Sequence, residues 1–159
     1  MAVLLVFREK KKFFMAVFQK KGRNIFPRIT LLLKILLLTI VLPVMVKISS
    51  LPKLMKILTP QKKKDNFSEE EIDRIVDATT LVLYGRFSIF RPTCLKRSLV
   101  LYYLLNKAGL KVVMNFGVKK NNDRLDGHGW LTLGGKPYLE TYDPHDSFTV
   151  TYSYPQESN

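Results

Sequence analysis

The spacing of apolar residues changes once along this chain, near Gly109, and that change dictates the class of fold. Upstream the spacing is helical. Ile72, Ile75, Val76, Val82 and Leu83, with Thr79 on the same face, predict a helix of about four turns from Ser68 to Tyr84-Gly85. Ser68 with Glu71 fits a capping box, and Glu69, Glu70 and Glu71 suit the positive end of a helix dipole. Arg91-Pro92 breaks the chain, Thr93 can cap a second helix over Cys94 to Lys107, and Gly109 ends it. Downstream the pattern is that of strands: Val112 to Val118, His128 to Leu133, Pro137 to Tyr142 and Phe148 to Tyr152. Residues 119–127 read as a polar loop, and Gly134-Gly135 as a hairpin turn. Helices followed by an antiparallel sheet make an α+β fold.

Charge divides the chain differently. Residues 1–64 hold 15 Lys/Arg and one acid, Glu9, a charge of +14, whereas residues 65–159 hold 11 Lys/Arg and 12 acids. The basic character therefore belongs to the first segment, and two regions are expected, 1–64 and 65–159, joined by a polar linker around Pro60 to Lys64. Residues 1–28 alternate basic clusters with short apolar runs, and Met15 is a second candidate start. Residues 29–46, ITLLLKILLLTIVLPVMV, are strongly apolar but interrupted by Lys34 and Pro43. A lysine inside a membrane span costs roughly 3 kcal/mol. The run lies too far from the terminus for a signal peptide, with no small-residue cleavage site after it. The expectation is a helix packed at least partly on the domain; a helix on the membrane surface and a span are the alternatives.

The chain has one cysteine, Cys94, and two histidines, His128 and His145. One cysteine forms no internal disulfide, suits a reducing cytoplasm, and leaves a Cys/His metal site poorly supplied, so neither metal nor cofactor is expected. The bland alternative is a buried structural thiol. Yet a thiol nucleophile needs a stabilised thiolate, access and a base, and the first position of a helix supplies unpaired N–H groups for the thiolate and for an oxyanion.

His128 stands in Gly127-His128-Gly129-Trp130, between small neighbours, with Trp130 on the same strand face and able to shield the imidazole. His145, after Asp143-Pro144, reads as a solvated loop histidine. Glu140 and Asp143 both qualify as the acid that orients the base. A three-residue hairpin loop would put Glu140 on the His128 face, and a two-residue loop on the other. Glu140 is preferred, because a group within a sheet is better held than one at its end.

The stretches Arg91-Pro92-Thr93-Cys94-Leu95-Lys96-Arg97-Ser98-Leu99, Tyr103 to Leu110, Phe116 to Lys120, Gly127-His128-Gly129-Trp130-Leu131 and Gly134-Gly135-Lys136-Pro137 carry a resemblance. Together they resemble the papain/transglutaminase-like superfamily, and more narrowly the leader-peptidase proteins of bacterial lasso-peptide biosynthesis, over about residues 66–150. The resemblance implies a Cys-bearing helix packed on an antiparallel sheet that bears His and acid, preceded by apolar, basic N-terminal helices. It implies Cys94 as nucleophile, His128 as base and, about a dozen residues later, Glu140 as the acid. The family more often has Asp at that third place, and often Ala where this chain has Gly129. The implied activity is removal of the leader from a ribosomally made precursor peptide, beside a separate leader-recognition protein and a cyclase.

Acyl transfer is the second enzymatic reading, since one acyl-enzyme serves both water and amine acceptors. A non-catalytic membrane-surface adaptor, built on the +14 segment, belongs to another class. Nucleic-acid binding ranks low and no nucleic-acid partner is expected, because the basic residues interleave with aliphatic runs rather than an aromatic platform. The expected location is the cytoplasm or the inner face of the membrane, with the Lys/Arg side of the first segment's helices turned to anionic lipid or an acidic partner.

Overall fold

In a computed structural model the described residues are 25–61, 68–85, 93–122 and 124–155. Among the described residues four helices precede a four-stranded antiparallel sheet, an α+β architecture. The helices are α1 (Ile25–Ile48), α2 (Leu51–Leu58), α3 (Glu69–Tyr84) and α4 (Cys94–Lys107). The strands are β1 (Val113–Asn121), β2 (Arg124–Leu133), β3 (Lys136–Tyr138) and β4 (Thr149–Tyr154), in the order β3-β2-β1-β4. A 3-10 turn, Pro144–Asp146, precedes β4.

The central element is α4. Five consecutive residues, Ser98 to Tyr102, are buried, which is more than one turn, so this helix is covered on every side. It packs on β1 and β2 and against α2 and α3. Its start is set by Thr93, whose hydroxyl accepts from the Lys96 N–H at 3.3 Å. Its end is set by Asn106, whose buried amide donates to the carbonyls of Tyr102 and Val112 and ties the helix to the approach of β1. Gly109, at φ +101, turns the chain. In the sheet, Ser153 Oγ donates to Asn115 Oδ1 and Asn115 Nδ2 to Thr132 Oγ1, a polar ladder that pins β4, β1 and β2 in register.

The larger of two compact units begins at Leu31. Ile35 and Leu42 of α1 and Leu54, Met55 and Leu58 of α2 join the same cluster as Leu99, Leu105, Met114 and Leu131. The helix α1 continues through Lys34 and Pro43, which do not interrupt it. The expected division between residues 64 and 65 falls outside the described residues, as does Arg91-Pro92.

Three local expectations are corrected. Ser68 stands at the N-cap of α3, but its side chain makes no capping bond, so the box is incomplete. The polar run 119–127 is largely strand: β1 extends to Asn121 and β2 begins at Arg124, paired through Lys119 with Asp126 and Lys120 with Leu125. This arm extends beyond the core with its side chains exposed, and an element wetted on both faces has no apolar alternation to betray it. The strand expected to Tyr142 stops at Tyr138, because Leu139 adopts φ +62.

Candidate active site

Cys94, half-buried, is the first residue of α4. One turn on, one side chain of the same helix reaches the sheet and a second reaches the segment that follows β3. Ser98 Oγ donates to the Gly129 carbonyl at 2.7 Å. Strand β3 stops opposite Leu131, so no strand partner flanks Gly129 on that side, and the serine supplies the donor. Arg97 Nη2 donates to the Leu139 carbonyl at 2.6 Å, and its Nη1 donates to Glu140 Oε1 at 3.1 Å. The helix that carries the thiol is thereby fastened to the residue beside His128 and to the carboxylate.

The absence of a side chain at Gly129 is part of that fit. A Cβ there would stand 3.0 Å from Met114 Cε and 3.3 Å from Leu95 Cδ1, where α4 packs on β2. Gly117 opposes His128 in the ladder, and a Cβ on it would stand 2.8 Å from the Trp130 ring. The indole occupies the space this glycine leaves and is wholly buried.

The imidazole of His128 is held in an aromatic stack. Trp130 lies nearly parallel to it at a centroid distance of 5.7 Å, and Phe148 at 5.1 Å; Tyr142 follows at 6.4 Å. The shielding expected of Trp130 is thus a ring-on-ring contact, with Phe148 added. His128 Nε2 lies 3.7 Å from Glu140 Oε2, with the two side chains 14% and 10% exposed. That separation is within ion-pair range and beyond a hydrogen bond, and Nε2 is buried without a hydrogen-bond partner. Trp130 Nε1 is likewise buried and unpaired.

Glu140 reaches this place by an unexpected route. The hairpin turn has two residues, Gly134 and Gly135 at φ +57 and +77, with Leu133 opposite Lys136. Regular pairing would then continue with Glu140 opposite Gly129, on the face away from His128. The left-handed Leu139 breaks the alternation, and the Arg97 fork holds the residues after the break. The carboxylate is therefore held by the helix rather than by the sheet.

Asp143 is engaged elsewhere. Its Oδ1 accepts from the His145 backbone N–H at 3.0 Å and lies 2.8 Å from His145 Nδ1. That backbone bond first, and the imidazole second, hold its carboxyl below the usual aspartate range. His145 is exposed, as a loop histidine should be, and meets the Trp130 ring edge-on at 5.3 Å. The structure thus brings Glu140 to His128 and Asp143 to His145.

Sequence reasoning missed Arg97, Ser98, Gly117 and Phe148. The first two were in view as the i+3 and i+4 neighbours of Cys94, one turn further along its helix. Gly117 and Phe148 carry no local signal, because their roles depend on strand register.

With this geometry in place, comparison with known families is decisive. A profile of the transglutaminase-like superfamily matches residues 35–153. The chain belongs to the transglutaminase-like superfamily. The match begins within α1 and extends into β4, so it takes in the helices before α3 as well as the site. Comparison with curated proteins and with solved structures gives no match. Membership in this superfamily indicates cysteine-protease or acyltransferase chemistry in general.

Proposed function

We propose that Cys94, His128 and Glu140 act as a catalytic triad, and that the chain is a cysteine peptidase that removes the leader from a ribosomally made lasso-precursor peptide. The observation that carries the triad is the fastening of the α4 N-terminus to the base and the acid together. Ser98 holds the strand at Gly129, and Arg97 holds Glu140 with its second oxygen 3.7 Å from His128 Nε2. The peptidase assignment and the lasso substrate rest on the resemblance to the lasso leader-peptidase proteins that the motifs around Cys94, His128 and Gly134-Gly135 carry.

Because Glu140 faces Nε2, the other ring nitrogen, Nδ1, takes the proton of Cys94. The thiolate attacks a backbone carbonyl, and the N–H groups of Cys94 and Leu95, which precede the capped Lys96 N–H, stabilise the oxyanion. Collapse of the intermediate releases the amine, protonated by His128, and leaves a thioester on Cys94. Water, deprotonated by His128, releases the acyl half. Glu140 keeps the ring oriented and stabilises its cationic form; the 3.7 Å gap is one that substrate binding closes, as apo catalytic contacts often tighten in the complex.

A separate recognition protein would present the leader, and the cyclase would receive the core. Acyl transfer to an amine is the second reading, favoured by the superfamily's own chemistry. Incubation with a candidate precursor and its recognition protein, read by intact mass, distinguishes the two. Hydrolysis gives two fragments whose masses together exceed the precursor by one water. Transfer gives a fragment joined to the added amine. An unchanged precursor under both conditions would contradict the proposal.

A further inference from the structure

An amphipathic helix on a protein surface turns its apolar stripe inward and its polar residues outward. Helix α1 does not. Its inner side is apolar and buried: Ile35, Thr39 and Leu42 are covered almost completely, with Leu31, Leu38 and Met45 packed against the core. Its outer side is apolar too. Leu33, Leu37, Ile40, Val44 and Ile48 recur at helical spacing on the opposite face, with exposures from 47% to 77%. Leu36 and Val41 widen that stripe. Isolated exposed aliphatics are ordinary, but a continuous stripe over four turns of one helix marks a surface that something covers.

We propose that this outer face of α1 docks the protein on an anionic phospholipid bilayer, with the helix lying in the interface. Three features favour that occupant. The first is charge: residues 10–64 contain no Asp or Glu, and Lys34, Lys47, Lys53 and Lys56 all stand exposed on α1 and α2. A second copy of the chain would bring the same cations against these, whereas acidic headgroups neutralise them. The second is layering. Lys34 borders the apolar stripe and Lys47 closes its end, so long side chains can carry ammonium groups up to headgroups while the stripe enters the acyl boundary. The third excludes the deeper alternative. The stretch Arg28–Ile48 is long and apolar enough to cross a membrane, but only by length and composition. Crossing would strip Ile35 and Leu42 from the core they help to build.

The outward side of α1 is therefore not the basic side, as the lysine content suggested, but an apolar side with lysines at its margins. The inference is independent of the peptidase proposal, since it concerns a face with no catalytic residue.

The test is co-sedimentation of the purified full chain with vesicles of phosphatidylglycerol and phosphatidylcholine, against vesicles of phosphatidylcholine alone. Binding is expected to the anionic vesicles, weakening as salt rises. Leu33→Gln with Leu37→Gln and Val44→Gln should abolish it, and each of Lys34→Gln and Lys47→Gln should weaken it by about fivefold. Should the triple variant misfold by circular dichroism, an environment-sensitive fluorophore on Leu37→Cys in a Cys94→Ser background replaces it. Its emission should shift to the blue on adding anionic vesicles. Equal binding by wild type and triple variant would overturn the proposal, as would an unshifted fluorophore. So would a lipid-free dimer that the triple variant disperses, which would make a second copy the occupant. Resistance of bound protein to alkaline carbonate would overturn it in favour of a span.

Discussion

At the scale of residues, the two histidines of this chain sit in the same aromatic cluster and yet have different partners. His128 is half-buried in the stack and faces Glu140; His145 is exposed and faces Asp143. The account assigns catalysis to the first pair. His128→Ala should reduce turnover by about 10²- to 10⁴-fold, and Glu140→Gln by on the order of 10²-fold with little change in substrate affinity. His145→Ala and Asp143→Asn should stay near wild type. Progress curves of precursor cleavage decide this, and the opposite ranking would assign the base to His145. Arg97 is a positioning residue in this scheme. Arg97→Gln should lower kcat about tenfold while leaving KM nearly unchanged, with partial recovery in Arg97→Lys, because a lysine restores the charge but not the two-pronged fork. A loss confined to KM would show that Arg97 does not act through Glu140. The sequence made Cys94 and His128 visible as candidates because each stands at a recognisable place, a helix start and a Gly-flanked strand position, while Glu140 shared candidacy with Asp143 until the family resemblance pointed to it. What it concealed was the positive φ at Leu139, since nothing in the side chain of a leucine announces a left-handed backbone.

Elements follow the same logic of what is locally encoded. Helix α4 was legible to the residue, from Thr93 to Lys107, because a cap, an apolar pattern and a glycine all agree. The arm formed by β1 and β2 beyond the core was not, because its exposed residues mimic a loop. Strand register also decides which glycines matter. At Gly129 an added methyl meets the movable ends of Met114 and Leu95, so Gly129→Ala should cost less than about 1 kcal/mol. At Gly117 it meets the rigid Trp130 ring at 2.8 Å, and Gly117→Ala should cost about 1–3 kcal/mol. It should also slow catalysis, since the indole supports the imidazole. Denaturant melts of the two variants, followed by Trp130 fluorescence, check the order; equal stability would mean that the ring has room the geometry denies it.

For the whole molecule, the charge boundary and the packing boundary are different things. Charge separates residues 1–64 from the rest, but the core draws on Ile35, Leu42, Leu54, Met55 and Leu58. Composition records which residues are basic and not where aliphatic side chains are buried; it was the interrupted apolar run of residues 29–46 that made packing on the domain the expectation. A chain of residues 66–159 should therefore aggregate or unfold, whereas residues 25–159 should retain a cooperative thermal transition; scanning calorimetry of the two distinguishes them. The superfamily's acyl-enzyme chemistry is the claim on which the proposed function depends. It is tested most directly by quenching a reaction of the full chain with precursor and recognition protein in acid and reading the intact mass. The account predicts an adduct of the acyl fragment on Cys94 in the wild type, absent from Cys94→Ala, which should cleave nothing. A Cys94→Ala chain that releases the leader at the wild-type rate would contradict it.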